Sequence, residues 1–282
     1  MKVLITGANG QLGTELSKIL PDAILTGHKD LDITDFVSVR DFVAKNQVDA
    51  IVNCAAYTAV DAAEDKNNYS AVKAINAIGP KNLAKTGRKL IQISTDYVFD
   101  GCSKVPYKTN DEVAPLSVYG WTKLLGEKNV QDCSREYAII RTSWLYSPYG
   151  KNFVKTMRRL ATEKDSINVV SDQTGSPTYA KDLAEAIVQI IPQLNYSNYG
   201  IYHYANTGET SWYDFAREIM KKSGATCKIM PIYTSGYPTK AVRPKYSVLD
   251  TGKIESVFGV EIPDWKDALG RCIGEINEME RG

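Results

Sequence analysis

Histidine is scarce in this chain, at 2 in 282 residues, and its 5 cysteines are scattered with no C-x-x-C among them. A disulfide framework and the usual zinc sites are thereby disfavoured, and the expected setting is a reducing cytoplasm. An excess of one charge is lacking as well, since 34 Lys and Arg stand against 33 Asp and Glu. Without a net field there is no case for nucleic acid or an anionic membrane as partner. Long apolar runs are missing too. The opening M-K-V-L-I-T-G has neither the apolar length nor the small-residue cleavage site of a signal peptide. No internal repeat or low-complexity linker interrupts the chain.

What remains is the composition of an ordinary globular protein, 43% hydrophobic and 24% charged, with ample material for a core. Short apolar runs alternate with longer amphipathic ones through the first half. Strands are expected at Lys2–Thr6, Ala23–Thr26, Ala50–Asn53, Leu90–Ser94 and Tyr137–Arg141. Helices are expected near Gln11–Leu20, Asp35–Asn46, Tyr69–Thr86 and Ser117–Asp132. Near-continuous Val/Ile/Leu strands separated by helices imply a parallel sheet covered on both faces, a Rossmann-type doubly wound α/β fold. After about Ser147, Pro, Gly, Tyr and Asn become frequent. Helices are expected there at Lys181–Ile191 and Ser211–Lys222, the second with Thr210 as its N-cap. The expected division is a dinucleotide-binding domain over residues 1–149. Residues 150–282 would then form mainly a smaller, loop-rich α+β substrate lobe, some elements of which pack back on the first domain.

The first strand runs into T-G-A-N-G-Q-L-G, which puts Gly7, Gly10 and Gly13 at three-residue spacing just before a helix. Such a loop permits a tight turn, close approach of backbone to a pyrophosphate, and amide donors from the helix N-terminus. Gln11 and Leu12, between the last two glycines, belong to the same candidate cofactor site. After the second strand come Gly27, His28 and Lys29. A carboxylate at that point would favour NADH, whereas His28 and Lys29 suit a ribose 2′-phosphate, so NADPH is expected with NADH tolerated.

The fourth strand leads into Thr95-Asp96-Tyr97, and S-V-Y-G-W-T-K follows at 117–123. Tyr119 and Lys123, four apart, share one face of the helix that Ser117 begins. A hydroxyl at a strand end with tyrosine and lysine on the next helix suits ketone reduction. Thr95 would polarise the carbonyl, and Tyr119 would supply the proton. The ordinary tyrosine pKa, about 10, needs an adjacent ammonium such as Lys123 to draw it down.

These motifs resemble the extended short-chain dehydrogenase/reductase family. Further segments, I-S-T-D-Y-V-F-D-G, I-I-R-T-S-W-L-Y, D-Q-T-G-S-P-T and R-P-K-Y-S-V-L-D, are similar in order and position to those of its dTDP-4-dehydrorhamnose reductases. The resemblance implies NAD(P)H-dependent reduction of the C4 ketone of a dTDP-4-keto-6-deoxysugar in dTDP-rhamnose synthesis. It implies that Asp32 and Ile33 lie along the adenine and that Cys54, Ala55 and Ala56 line the cofactor path. It also places Trp144 in the substrate site. Asp96 is then a candidate acceptor for sugar hydroxyls and Arg243 a candidate diphosphate partner, with Asn152, Gln173 and Thr178 as further polar contacts. Related 4,6-dehydratases carry glutamate where this chain has Tyr97. Epimerases retain an oxidised cofactor, and reductase-like regulatory subunits form a further alternative, against which the intact Thr95, Tyr119 and Lys123 argue. Some members of the family dimerise through Mg2+ held by carboxylates. Here Glu15 could contribute, but Lys181 stands where a second carboxylate is needed. No metal site and a monomer are therefore expected.

Overall fold

The computed structural model describes residues 1–281. In its first half, the apolar runs form strands β1 (Val3–Thr6), β2 (Ile24–Thr26), β3 (Ala50–Asn53), β4 (Lys89–Thr95) and β5 (Tyr137–Thr142). Every residue of β1, β3 and β5 is buried, as strands covered on both faces require. The helices between them are α1 (Gln11–Ile19), α2 (Phe36–Lys45), α3 (Val60–Ala63), α4 (Tyr69–Lys73), α5 (Gly79–Ala84) and α6 (Val118–Cys133). The single helix expected over 69–86 is broken by a π-helical turn at Ala74–Ile78. Pro80 has no N–H to give the carbonyl of Asn76, and the backbone widens there. The Asn76 side chain uses the opening: its Oδ1 accepts from Tyr57 N at 2.8 Å and its Nδ2 donates to Thr122 Oγ1 at 3.2 Å.

The second half holds more regular structure than its loop-rich composition suggests. It comprises β6 (Leu145–Tyr146), α7 (Phe153–Glu163), β7 (Ser166–Val170), β8 (Thr174–Gly175), β9 (Thr178–Tyr179), α8 (Ala180–Gln193), β10 (Gly200–His203), β11 (Thr210–Ser211), α9 (Trp212–Ser223), β12 (Lys228–Ile232), α10 (Gly252–Phe258) and α11 (Trp265–Arg281). The N-cap of α9 is Ser211, whose Oγ accepts from Asp214 N at 3.0 Å, and not Thr210. Thr210 sits one residue too early and is held in the β11–β8 pair.

The main sheet has the order β10-β5-β4-β3-β1-β2, with all neighbours parallel. One core cluster packs α1, α8 and α10 against the sheet, and a second places residues of α2, α5 and α6 against its strands. A third lies away from the sheet, built on Phe215, Ile219, Trp265, Leu269 and Ile273 from α9 and α11. Among the described residues no helix is long and apolar enough to cross a membrane.

Candidate active site

The sheet reverses direction of growth at β1: the chain passes from β1 to β2 on one side, then returns to β3 on the other. Open α/β sheets bind ligands in the crevice that such a reversal leaves at the carboxyl ends of the strands. Gly7 follows β1 there with φ +68°, and a Cβ on it would lie 2.6 Å from the Ala55 nitrogen. Glycine is required by the left-handed backbone and again by the close pass of the Cys54-Ala55-Ala56 segment. Gly10 caps α1 with no side chain, so the first amides of the helix, from Gln11 to Gly13, meet no side-chain cap. Uncapped amides at a helix N-terminus fit a pyrophosphate. Leu12 and Ile33 belong to this region through their backbone, because both side chains are in the core. The Asp32 carboxylate is occupied by Thr34, accepting from its N and Oγ1 at 2.9 and 2.7 Å. His28 and Lys29 lie exposed just past β2.

Two strands along, at the end of β4, the candidate catalytic side chains converge. Ser117 Oγ accepts from Gly120 N at 3.1 Å and so fixes the start of α6. A Cβ on Gly120 would stand 2.2 Å from Tyr97 O. Its absence lets α6 press against the 3-10 turn Asp96–Val98, which Thr95 itself caps by accepting from Tyr97 N. Tyr119 and Lys123, one helical turn apart, are both buried, as is Thr95. Lys123 Nζ donates to Ile93 O at 2.6 Å.

The electrostatics of this cluster reverse the expected direction. Burial pushes the Tyr119 phenol up to about 12, with the Thr95 hydrogen bond opposing and Asp96 adding to the rise. Burial pushes Lys123 down to about 8, against Glu127 and Cys54, which favour its charge. Lys123 does not lower the phenol pKa because its ammonium is committed to the β4 backbone and couples to Glu127 and Cys54. Tyr119 is accordingly a protonated phenol across the neutral range, the form a proton donor needs. Behind it, Glu127 accepts from Arg141 Nε and Nη2 at 3.0 and 2.7 Å and from Ser94 Oγ, tying α6 to β4 and β5. This residue extends the four-residue spacing of Tyr119 and Lys123 by one more turn, a signal readable in the sequence.

Asp96 is 2% exposed; its Oδ1 accepts from Thr95 Oγ1 at 3.0 Å, while its Oδ2 has no partner. Its carboxyl is pushed up to about 6, chiefly by burial. Tyr97, whose ring meets that of Tyr119 edge-on at 5.6 Å, has its phenol pushed well above the usual range by burial.

The remaining candidates are more engaged with protein than the sequence suggests. Trp144 takes the left-handed φ of +47° and stacks on Trp212 with ring centroids 3.6 Å apart. Such strain in a non-glycine residue is held only where packing over-determines it, and here Gly175 packs so close that a Cβ on it would lie 2.6 Å from the indole Cε2. Asn152 caps α7 and donates through Nδ2 to Gln11 Oε1 at 2.9 Å, so these two candidates hold each other. Gln173 is buried and donates to Thr234 Oγ1 at 3.1 Å. Thr178 is fully buried, its hydroxyl accepting from Thr142 Oγ1 at 3.3 Å. Arg243, expected to face a diphosphate, pairs with Asp61 through both terminal nitrogens at 3.2 and 2.7 Å. Asp61 and Trp212 are the partners that sequence reasoning had no means to identify.

The residues present do not fit a bridging divalent cation. Glu15 is buried on α1 with Lys18 Nζ 3.7 Å from its Oε2; Glu275, the other carboxylate acting on it, is itself paired with Lys18 at 2.9 Å, and Lys181 adds a second positive charge. Among the described residues no group of three or more His, Cys, Asp or Glu is arranged to hold a metal.

Residues 1–278 match the family described as RmlD substrate binding domain. The spore coat polysaccharide biosynthesis protein SpsK of Bacillus subtilis (strain 168) is 42% identical, with 97% of each chain covered. A solved dTDP-4-dehydrorhamnose reductase from Clostridium acetobutylicum ATCC 824 is 45% identical with a TM-score of 0.94, covering 98% of this chain and 100% of the other. A dTDP-4-dehydrorhamnose reductase from Bacillus anthracis str. Ames, solved in complex with NADP, is 41% identical with a TM-score of 0.92, covering 97% and 99%. The glycine turn, the strand-end threonine and the Tyr-Lys helix thus sit in a chain whose whole length has relatives of one kind. The chain belongs to the RmlD substrate binding domain family.

Proposed function

We propose that this chain is an NADPH-dependent oxidoreductase that reduces the C4 ketone of dTDP-6-deoxy-L-lyxo-4-hexulose to dTDP-L-rhamnose. The observation that carries the reading is the convergence of Thr95, Tyr119 and Lys123 at the end of β4, beside the crevice that Gly7 and Ala55 share. The relatives at 41 and 45% identity, both dTDP-4-dehydrorhamnose reductases, support the choice of sugar.

The amides opening α1 would hold the cofactor's pyrophosphate, and the exposed His28 and Lys29 its ribose phosphate, with NADH tolerated. Bound there, NADPH supplies the hydride for the ketone carbon. Thr95 hydrogen-bonds the ketone oxygen and Tyr119 gives it a proton. Lys123, held by the Ile93 carbonyl, presents its charge to the nicotinamide ribose. Residues beyond 150 supply mainly the sugar-nucleotide side, and Trp144, just before them, would meet the substrate at an indole edge, its stacked face being taken by Trp212. Tyr97 favours reduction over dehydration, because so weak an acid cannot take the place of the dehydratases' glutamate. The ammonium groups around Glu15 favour a monomer with no metal bridge. A chelator-sensitive dimer in sedimentation would contradict that part.

The test is NADPH oxidation in the presence of enzymatically prepared dTDP-4-keto sugar, with wild type beside Tyr119→Phe. Substitution is expected to lower kcat on the order of 10²-fold or more while cofactor affinity holds. Near-normal turnover by the variant would remove Tyr119 as the acid, and no ketosugar-dependent oxidation by wild type would favour a non-catalytic role. Alanine at His28 and Lys29 should raise the KM for NADPH and leave that for NADH unchanged; equal effects on both would shift the phosphate elsewhere.

A further inference from the structure

Helix α6 takes hold of β4 at two successive residues. Lys123 Nζ donates to Ile93 O at 2.6 Å, and one helical turn further on Glu127 accepts from Ser94 Oγ. The next residue along the strand is Thr95. The carbonyl that aims the ammonium and the hydroxyl meant for the ketone therefore flank the strand residue that Glu127 holds. Glu127 is in turn fixed by Arg141 of β5, whose Nε and Nη2 donate to it at 3.0 and 2.7 Å. In the sheet Arg141 lies opposite Ser94, and Thr142 opposite Thr95.

The charges of this cluster do not balance. Lys123, Glu127 and Arg141 are all buried, two cations with one anion. Four residues apart on one helix, Lys123 and Glu127 have their Cβ atoms about 5–6 Å from each other. Beyond Arg141 lies His203, its Nε2 3.5 Å from Arg141 Nη1 and its Nδ1 3.0 Å from Tyr107 O. A guanidinium can only donate and a carbonyl only accept, so Nε2 accepts, Nδ1 donates, and the ring is neutral. Burial, which pushes His203 down to about 3, acts the same way. Cys54, which acts on Lys123 from the end of β3, is a thiol pushed up to about 12 by burial, and Tyr119 keeps its proton as well. Among the described residues, Glu127 is thus the carboxylate that serves both buried cations.

We propose that Glu127 is a positioning residue for the reduction, keeping Lys123 an ammonium and, through Ser94, setting the end of β4 against α6. This rests on the reductase reading above. Buried as it is, Glu127 offers no surface to cofactor or ketone, and it acts through Lys123 and Thr95. Without its carboxylate two cations would stand in the core with no counter-charge. Arg141 keeps its charge in that case, because a guanidinium does not lose its proton in a protein, whereas a buried lysine amine readily does. The neutral amine would bring no charge to the nicotinamide ribose. Shared only with Arg141, Glu127 would be an ordinary structural ion pair; shared with Lys123 as well, it governs the protonation of a group that the reaction uses.

The experiment titrates Lys123 by NMR in protein carrying ε-carbon-labelled lysine, its signal identified by its absence from Lys123→Met. The pH profile of kcat/KM for NADPH oxidation with the ketosugar is recorded beside it. In wild type the ammonium is expected to titrate at about 8 and the profile to fall there. In Glu127→Gln, whose amide oxygen can still accept from Ser94, both midpoints should move to lower pH, with the neutral amine about ten-fold more abundant at pH 7. Where that variant fails to fold, Glu127→Gln/Arg141→Met, which lacks the stranded guanidinium, carries the same measurement, and its midpoints should also lie below those of wild type. Midpoints unmoved in whichever variant folds overturn the proposal and leave Glu127 a structural ion-pair member. Ser94→Ala tests the geometry. It should lower kcat on the order of ten-fold, with the sugar KM within about two-fold and the Lys123 midpoint in place; an unchanged kcat overturns the part played through Ser94. The NMR titration needs no substrate, so failure of wild type to oxidise NADPH with the ketosugar would strike the reductase reading alone.

Discussion

Replacing Asp96 by Asn removes a charge while keeping the side chain's shape, and the stability consequence can be worked out at each pH. In the folded protein the carboxyl is pushed from its ordinary 3.8 to about 6. Two units correspond to roughly 3 kcal/mol of penalty on the buried charge. Between those two values the folded chain holds a proton that the unfolded chain has released, so stability falls as pH rises through the window. Below it both states are neutral and no penalty applies, and above it the penalty is complete. The asparagine variant lacks the whole effect. Its new amide nitrogen replaces the unpartnered Oδ2 and can cost about 1–3 kcal/mol, but that cost is the same at every pH. Comparing variant with wild type at one pH therefore mixes two terms, and the change in their difference between pH 4 and pH 8 isolates the charge. That change is expected to favour the variant by roughly 2–3 kcal/mol, or about 5–10 °C in the unfolding midpoint. Urea and thermal unfolding at both pH values measure it. A difference that stays constant within about 0.5 kcal/mol would refute the claim that Asp96 is buried as an acid.

Gly120→Ala puts a Cβ 2.2 Å from Tyr97 O; overpacking should cost about 1–3 kcal/mol and lower kcat by pushing Tyr119 from Thr95, whereas unchanged kcat would show that helix contact to be irrelevant. Breaking the buried Glu127–Arg141 pair by Glu127→Gln should destabilise by about 3–5 kcal/mol. Adding Arg141→Met should recover part of that loss, and strictly additive losses would deny the coupling. With Lys123 pushed down to about 8, kcat/KM should fall as pH rises through that value and the ammonium is lost; the same limb in Lys123→Met would assign it to another group.

The parts of this molecule legible in its sequence are those determined over short stretches. The parallel strands show as apolar runs, α2 and α6 show their caps at Asp35 and Ser117, and the glycine turn shows in Gly7. Tyr119 and Lys123 are legible because four residues make a helical turn, and Glu127 was available by the same rule. The helix α11 was equally available from the period of Trp265, Ala268, Leu269, Cys272 and Ile273, all buried. What the sequence does not carry is the partner that long-range folding brings. Arg243 finds Asp61 across 182 positions, a pairing that no local pattern announces. Trp144 meets Trp212 only because β6 and α9 are brought together around one core. The sign of a pKa shift is of this second kind. Lys123 beside Tyr119 suggests an ammonium lowering a phenol, yet both groups move toward neutrality because the surrounding core removes water from each. Burial and pairing push such groups in opposite directions, and only the packed structure shows which is stronger. Here it is burial. The consequence is a buried phenol that keeps its proton across the neutral range.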